Sequence, residues 1–151
     1  MKKIGDLGEQ LVSRWLQLQN YQILQQNWRC RWGEIDLIAQ NHNSNEIVFV
    51  EVKTRADRNW DANGLLAITT TKQQKLLKTA SVFLAAYPHL ADFPCRFDVA
   101  LVNYHSFNKT ASKRFKEDLD LTSIHQIDID RPVAIENVRL TLKKYFQNAF
   151  N

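Results

Sequence analysis

The stretch EIVFVEVKTR, residues 46–55, has the alternating pattern of a β-strand. Successive side chains of a strand point to opposite sides, so the valines at every second position face one way. Glu51 and Lys53 face the other way, beside Phe49. An unpartnered charge within so apolar a strand costs free energy. We therefore predict a strand that the valines anchor in the core, with Glu51 and Lys53 facing a cleft.

Composition is that of a globular protein. The chain has 151 residues, of which 44% are hydrophobic and 24% charged, with a net charge of +4. No apolar run approaches the roughly 20 residues that span a bilayer, and the N-terminus lacks the pattern of a signal peptide. Cys30 and Cys95 have no metal-ligand spacing and are expected to be reduced thiols. We predict a cytoplasmic protein that does not associate with membranes.

Apolar periodicity predicts an α/β fold in one domain, residues 1–151, with a flexible or extended insertion at 105–133. The polar cluster QNHNSN between two strands predicts a hairpin. Three helices are predicted. The first spans 4–19, the second begins at a threonine cap in 68–71 and ends at Pro88, and the third spans 134–149. The predicted strands are Tyr21–Gln25, 33–39, 46–54, 96–104 and 124–129.

The first predicted helix carries two glycines and an acid near its apolar stripe. Gly5 and Gly8 fall on the apolar side, where the lack of a side chain lets another element approach closely. Glu9 lies on the flank of the stripe. We expect its carboxylate at the rim of whatever the helix packs on.

Five polar side chains occupy positions where apolar ones are expected: Glu9, Asp36, Glu51, Lys53 and Gln73. Each alone has an ordinary interpretation, such as a surface ion pair worth under about 1 kcal/mol. Together they are most simply explained as each other's partners, directly or through a metal ion.

The predicted hairpin concerns two of these carboxylates. In a suitable register, antiparallel pairing would place Asp36 close to Glu51 and Lys53 on one face of the sheet. Two converging carboxylates raise each other's pKa unless a cation separates them. An all-oxygen site suits Mg²⁺ or Mn²⁺ rather than zinc. The neighbouring Lys53 can then orient an attacking water or neutralise charge on a phosphate.

Basic and aromatic residues are interleaved in the middle of the chain, which favours a nucleic-acid partner. Solvated charges and core aromatics would give the same pattern. The candidate phosphate contacts are Arg29, Arg31, Arg55, Arg58 and Lys72, and the tryptophans among them are Trp28, Trp32 and Trp60.

The order of these motifs resembles the PD-(D/E)XK nucleases, with Asp36 followed by Glu-x-Lys at 51–53. The segments GDLGEQLVSRW, GEIDLIA, VFVEVKTR, TTTKQQKLL and CRFDVALV together resemble the YraN family of small bacterial proteins. The superfamily's Pro-Asp is Ile35-Asp36 here. The resemblance implies a restriction endonuclease-like mixed β-sheet core flanked by helices and a metal-dependent endonuclease.

By position, the resemblance assigns roles to the site residues. Asp36 and Glu51 would bind the metal together with the helical acid Glu9, Lys53 would be the catalytic cation, and Gln73 would support the site. The substrate would be DNA, with branched or recombination intermediates as the candidate class.

Two other classes of function stay open. A nuclease-like module that binds nucleic acid without cleaving it needs only the basic and aromatic residues. An assembly role would use 105–133 as a docking segment. A homodimer also stays open, because nucleases that cut two strands often pair about a two-fold axis.

Overall fold

The computed structural model describes residues 2–56, 68–107, 114–115 and 121–150. Two α-helices lie in those ranges, α1 (Ile4–Leu18) and α2 (Thr70–Ala86), and a 3-10 turn follows at Pro88–Leu90. The strands are β1 (Lys2–Lys3), β2 (Tyr21–Cys30), β3 (Gly33–Asn41), β4 (Ile47–Ala56), β5 (Cys95–Ser106), β6 (Arg114–Phe115), β7 (Pro132–Ile135) and β8 (Val138–Phe150).

Six of these strands form one mixed sheet in the order β2-β3-β4-β5-β8-β7. The β4–β5 pair is parallel and the other neighbours are antiparallel. The parallel pair requires a crossover connection, and α2 lies within it. The predicted α/β class, a mixed sheet flanked by helices and consistent with a nuclease-like fold, is confirmed.

The helices cover opposite faces of the sheet. On one face, Leu7 and Leu11 of α1 share a buried cluster with Val48 and Val50 of β4. On the other face, Phe83 of α2 packs in a second cluster that includes Phe49. Phe49 lies between Val48 and Val50 along β4. Strand alternation thus divides β4 between two cores. No helix in the described ranges is both long and apolar enough to cross a bilayer.

A local signal accounts for the start of α2, and a glycine accounts for the close packing of α1. Thr69 caps α2 by accepting a hydrogen bond from the Lys72 amide, as the threonine cluster predicts. A Cβ on Gly8 would lie 2.0 Å from Thr54 Oγ1, so α1 packs tightly on β4 at this glycine. Gly5 has nothing within 4 Å of such a Cβ, so the expected close approach there is wrong.

Two predictions for the C-terminal region are wrong. Residues 134–149 form strands rather than a helix, because Val138, Leu140 and Leu142 alternate with more exposed neighbours and pair with β5. Residues 124–129 form no strand, and β7 takes the sheet position beside β8 instead.

The predicted insertion at 105–133 overlaps the sheet at both ends. Its first two residues belong to β5 and its last two to β7. Residues 108–113 and 116–120 lie outside the described part of the chain. Both cysteines are free thiols.

Candidate active site

The site begins where β3 and β4 stop pairing. Their register runs from Gln40↔Ile47 to Leu37↔Val50, and the next positions along the two strands are Asp36 and Glu51. Here Asp36 Oδ2 accepts a hydrogen bond of 2.8 Å from the Val52 backbone N–H. The Asp36 carboxyl group therefore accepts a hydrogen bond from an amide beyond the end of the ladder. The observed register brings Asp36 and Glu51 together, as the sequence predicts for antiparallel pairing.

Burial and the neighbouring acids make Asp36 an unusual carboxyl group. Burial, followed by the charge of Glu51, raises the pKa of Asp36 to about 8, against the opposing effect of the Val52 N–H. The charges of Glu9 and Glu34 make smaller contributions to the same rise in pKa. In the metal-free protein, Asp36 is therefore largely protonated at neutral pH.

Glu9 approaches the same carboxyl group from α1. Burial raises the pKa of Glu9 to about 6, while hydrogen bonds with Asn27 and Asp36 oppose that rise. A protonated Asp36 can supply this hydrogen bond to Glu9. The helix pattern predicts Glu9 at the rim of the surface on which α1 packs. In the structure its neighbour there is Asp36.

Glu51 reaches the helix on the other face of the sheet. Its Oε1 lies 2.8 Å from Lys72 Nζ, in the first turn of α2. The Glu51 side chain is 14% exposed and that of Lys72 is 45% exposed. Asp36 is therefore flanked by Glu9 from the α1 side and by Glu51 from the α2 side, and Lys72 supplies an ammonium to the carboxylate cluster.

Lys53 follows Glu51 by two residues on the same face of β4. The residue is only 5% exposed, although lysine is among the side chains most rarely buried. Its burial and its position two residues after Glu51 make Lys53 a candidate for the catalytic cation.

Gln73 does not join this cluster. Its Nε2 donates to the Ile68 carbonyl oxygen at 3.2 Å and so ties the start of α2 to the preceding residues. The sequence placed Gln73 on the correct helix, but the contact that it makes depends on the path of the chain before that helix.

A cleft of about 290 Å³ opens between α2 and the start of β3. Asp36 and Glu51 line it, whereas Glu9, Lys53 and Gln73 do not. The other lining residues are Trp32, Gly33, Glu34, Lys72, Lys75, Leu76 and Thr79. Those from α2 recur at three- and four-residue spacing, which was visible in the sequence but could not be assigned to a cleft without knowing what faces it.

The arginines predicted to bind phosphates have varied surroundings. Arg29 pairs with Glu34 at 3.1 Å, the Arg31 guanidinium lies 4.7 Å from the Trp32 ring centroid, and Arg55 donates to the Thr54 carbonyl. Arg58 lies outside the described residues.

The carboxylates offer a divalent cation two ligands rather than three. In the described part of the chain, no three His, Cys, Asp or Glu side chains form a group arranged to hold a metal ion. Asp36 and Glu51 nevertheless fit as a pair of hard oxygen ligands, because their converging charges favour a cation and Glu51 already holds an ammonium. A hard ion held by two side chains keeps positions open for water and phosphate.

Comparison with known proteins gives a consistent family match. The sequence matches the model described as uncharacterised protein family UPF0102 over residues 8–102. A UPF0102 protein of Acaryochloris marina is 43% identical over 157 residues, which cover 98% of this chain and 90% of the relative. One of Synechocystis sp. is 41% identical over 150 residues, 99% of each chain. One of Thermosynechococcus vestitus is 52% identical over 104 residues, 69% of this chain and 83% of the relative.

Proposed function

This chain belongs to the UPF0102 family, that of YraN, and from its carboxylate site we propose that it is a metal-dependent endonuclease that hydrolyses phosphodiester bonds of DNA. The observation that carries the proposal is the surroundings of Asp36. This carboxyl group is held by the Val52 N–H between Glu51 and Glu9, and Lys53 is buried two residues beyond Glu51.

Asp36 and Glu51 would hold Mg²⁺ or Mn²⁺. When bound, such an ion polarises a phosphate oxygen and lowers the pKa of a bound water. Glu9 would keep Asp36 oriented through their shared hydrogen bond.

The lysines have distinct roles in this proposal. Lys53, held rigid by burial, would stabilise the negative charge that develops on the phosphate or orient the attacking water. Lys72 and Lys75 line the cleft and would bind the flanking phosphates.

The test is cleavage of labelled linear, flap and four-way-junction DNA in Mn²⁺. We expect Asp36→Asn, Glu51→Gln and Lys53→Met each to lower the cleavage rate by a factor on the order of 100 or more. Asp130→Asn is the control, because Asp130 is exposed and pairs with Lys143 instead. Full activity in both the Asp36 and the Glu51 variants would refute the proposal.

A second candidate is a module that binds nucleic acid without cleaving it. It is favoured by the lack of a three-residue metal group in the described ranges and by the Lys72 ammonium already paired with Glu51. A DNA-binding titration with and without Mg²⁺ separates the two functions. Binding that needs Mg²⁺ and is lost in Asp36→Asn favours the nuclease, whereas binding that is salt-sensitive but independent of Mg²⁺ favours the module.

A further inference from the structure

Trp32 is a large, partly exposed aromatic side chain in the wall of the cleft. It lies in the turn between β2 and β3, is 38% exposed, and lines the same cleft as Asp36 and Glu51. The other tryptophans in the described residues pack on aromatic neighbours. Trp28 meets Phe83 edge-on at 5.3 Å, and Trp15 lies 4.7 Å from Tyr145.

The position of Trp32 is set by a tight contact between its turn and α2. A Cβ on the adjacent Gly33 would lie 3.0 Å from Thr79 Oγ1, and Gly33 has a φ of +156°. Thr79 is fully buried and its hydroxyl donates to the Lys75 carbonyl. Because Gly33 has no side chain, the turn can lie against α2. This close approach places Trp32 over that helix.

Two cations lie over the Trp32 ring. Lys78 Nζ is 3.5 Å from the ring centroid, and the Arg31 guanidinium carbon is 4.7 Å from it. At an exposed site a cation–π contact is weaker than the stacking of a nucleic-acid base on tryptophan. A base can therefore displace a cation from the ring, and the displaced cation stays near enough to pair with the backbone phosphate.

The rise along α2 between the lysine that pairs with Glu51 and the lysine that lies over Trp32 suits a nucleic-acid strand. Lys72, Lys75 and Lys78 follow one another every three residues along α2, so the helix rises about 9 Å from the lysine at Glu51 to the lysine at Trp32. At roughly 3.4 Å per nucleotide along a duplex strand, that span covers about three nucleotides.

We propose that Trp32 is a stacking platform for an unpaired base, so that the substrate class is DNA with single-stranded nucleotides next to the bond that is cut. This inference rests on the proposed function and names its substrate. Inside a duplex both faces of a base are covered by its neighbours, so only the terminal pairs of an intact duplex offer Trp32 a face on which to stack. The lysines of α2, by contrast, bind phosphates of any DNA structure.

Fluorescence anisotropy with three labelled DNAs of the same sequence tests the inference: a blunt duplex, a forked duplex and a single strand. Ca²⁺ replaces Mg²⁺ so that binding is measured on uncut DNA. We expect Trp32→Ala to weaken fork and single-strand binding about tenfold or more and duplex binding less than twofold. Trp32→Phe, which keeps an aromatic face, should stay within about threefold of wild type.

Two further variants make the result specific. Trp32→Leu keeps an apolar side chain without a π face and should behave like Trp32→Ala, which separates stacking from an effect on folding. Phe107→Ala is the matched control, because Phe107 is 57% exposed under the Arg139 guanidinium but does not line the cleft. It should bind all three DNAs like wild type.

Equal losses on fork and duplex, or wild-type fork binding by both Trp32→Ala and Trp32→Leu, would overturn the inference. Its failure is distinguishable from failure of the nuclease proposal. A protein that cuts DNA without any dependence of fork binding on Trp32 refutes only the stacking platform. A protein that prefers forks through Trp32 but cuts nothing refutes only the nuclease.

Discussion

Asp36 is the residue whose protonation depends most on the fold. Its ordinary pKa of 3.8 rises to about 8 in the folded protein, chiefly through burial and the charge of Glu51. The folded state therefore binds the proton more tightly than the unfolded state. The stability that this contributes is fully present below about pH 4 and is lost as the pH rises through about 8.

The metal-free protein should therefore become less stable as the pH is raised from about 6.5 to about 8.5. Glu9, whose pKa is about 6, has largely lost its proton before the pH reaches that window. In EDTA, the Tm of wild type should fall as the pH is raised across this window, and the Tm of Asp36→Asn should fall less. Mn²⁺ should reduce the fall in wild type, and equal pH slopes in the two proteins would contradict this account.

Lys72 holds Glu51 at 2.8 Å and so competes with any cation for that carboxylate. We expect Lys72→Met to raise the Mn²⁺ affinity about threefold to fivefold, because a partly exposed ion pair contributes up to about 1 kcal/mol. Isothermal titration calorimetry measures the change. Lys75→Met is the control, because Lys75 lines the same cleft and its substitution removes the same charge. Equal affinities in the two variants would mean that only the net charge matters.

At the scale of the elements, the contact of α1 with β4 depends on one glycine. A Cβ on Gly8 would overlap Thr54 Oγ1 at 2.0 Å, whereas Gly5 on the same helix has open space. Gly8→Ala should lower the free energy of unfolding by about 1–3 kcal/mol. Gly5→Ala should leave it unchanged or raise it by up to about 1 kcal/mol, because alanine restricts the unfolded chain. Urea unfolding compares the two, and equal effects would contradict the packing.

The C-terminal strand β8 shows how a helical spacing can mislead. Val138, Leu142, Tyr145 and Phe146 recur at intervals of three and four, which predicts a helix. That set omits Leu140, which alternates with Val138 and Leu142 and is fully buried in β8. The position of Leu140 thus distinguishes the two-residue period of a strand from the period of a helix.

Leu140→Ala should therefore destabilise the protein by about 2–5 kcal/mol, the usual cost of emptying a buried leucine site. Leu77→Ala should cost much less, because Leu77 is 37% exposed on α2. Chemical denaturation of both variants provides the comparison. A small loss of stability at Leu140 would support the helix instead.

At the scale of the whole molecule, the net charge of +4 predicts binding to DNA that weakens with salt. The double variant Lys75→Gln with Lys78→Gln should reduce the slope of log affinity against log salt by about 0.7–0.9 for each phosphate that these lysines neutralise. The double variant Lys143→Gln with Lys144→Gln removes the same charge from β8, where Lys143 pairs with Asp130. It should change the slope less, and equal changes would mean that the α2 lysines do not bind phosphates specifically.

The sequence by itself determined α1, the β3–β4 hairpin, α2 and β5, as well as the meeting of Asp36 and Glu51. These follow from periodicity and turn residues within short stretches, because a strand or helix that alternates in polarity specifies its own buried face. The hairpin register then brings its two acids to the first positions beyond the last pair of the ladder.

Only the tertiary structure decided the contacts between elements far apart in the chain. The pairing of β8 with β5, the ion pair of Lys72 with Glu51, the Gln73 contact with Ile68 and the place of Trp32 over α2 all depend on which surfaces face each other. Local periodicity states which face of an element is buried but not which neighbour buries it, because partners distant in sequence meet only when the sheet is assembled.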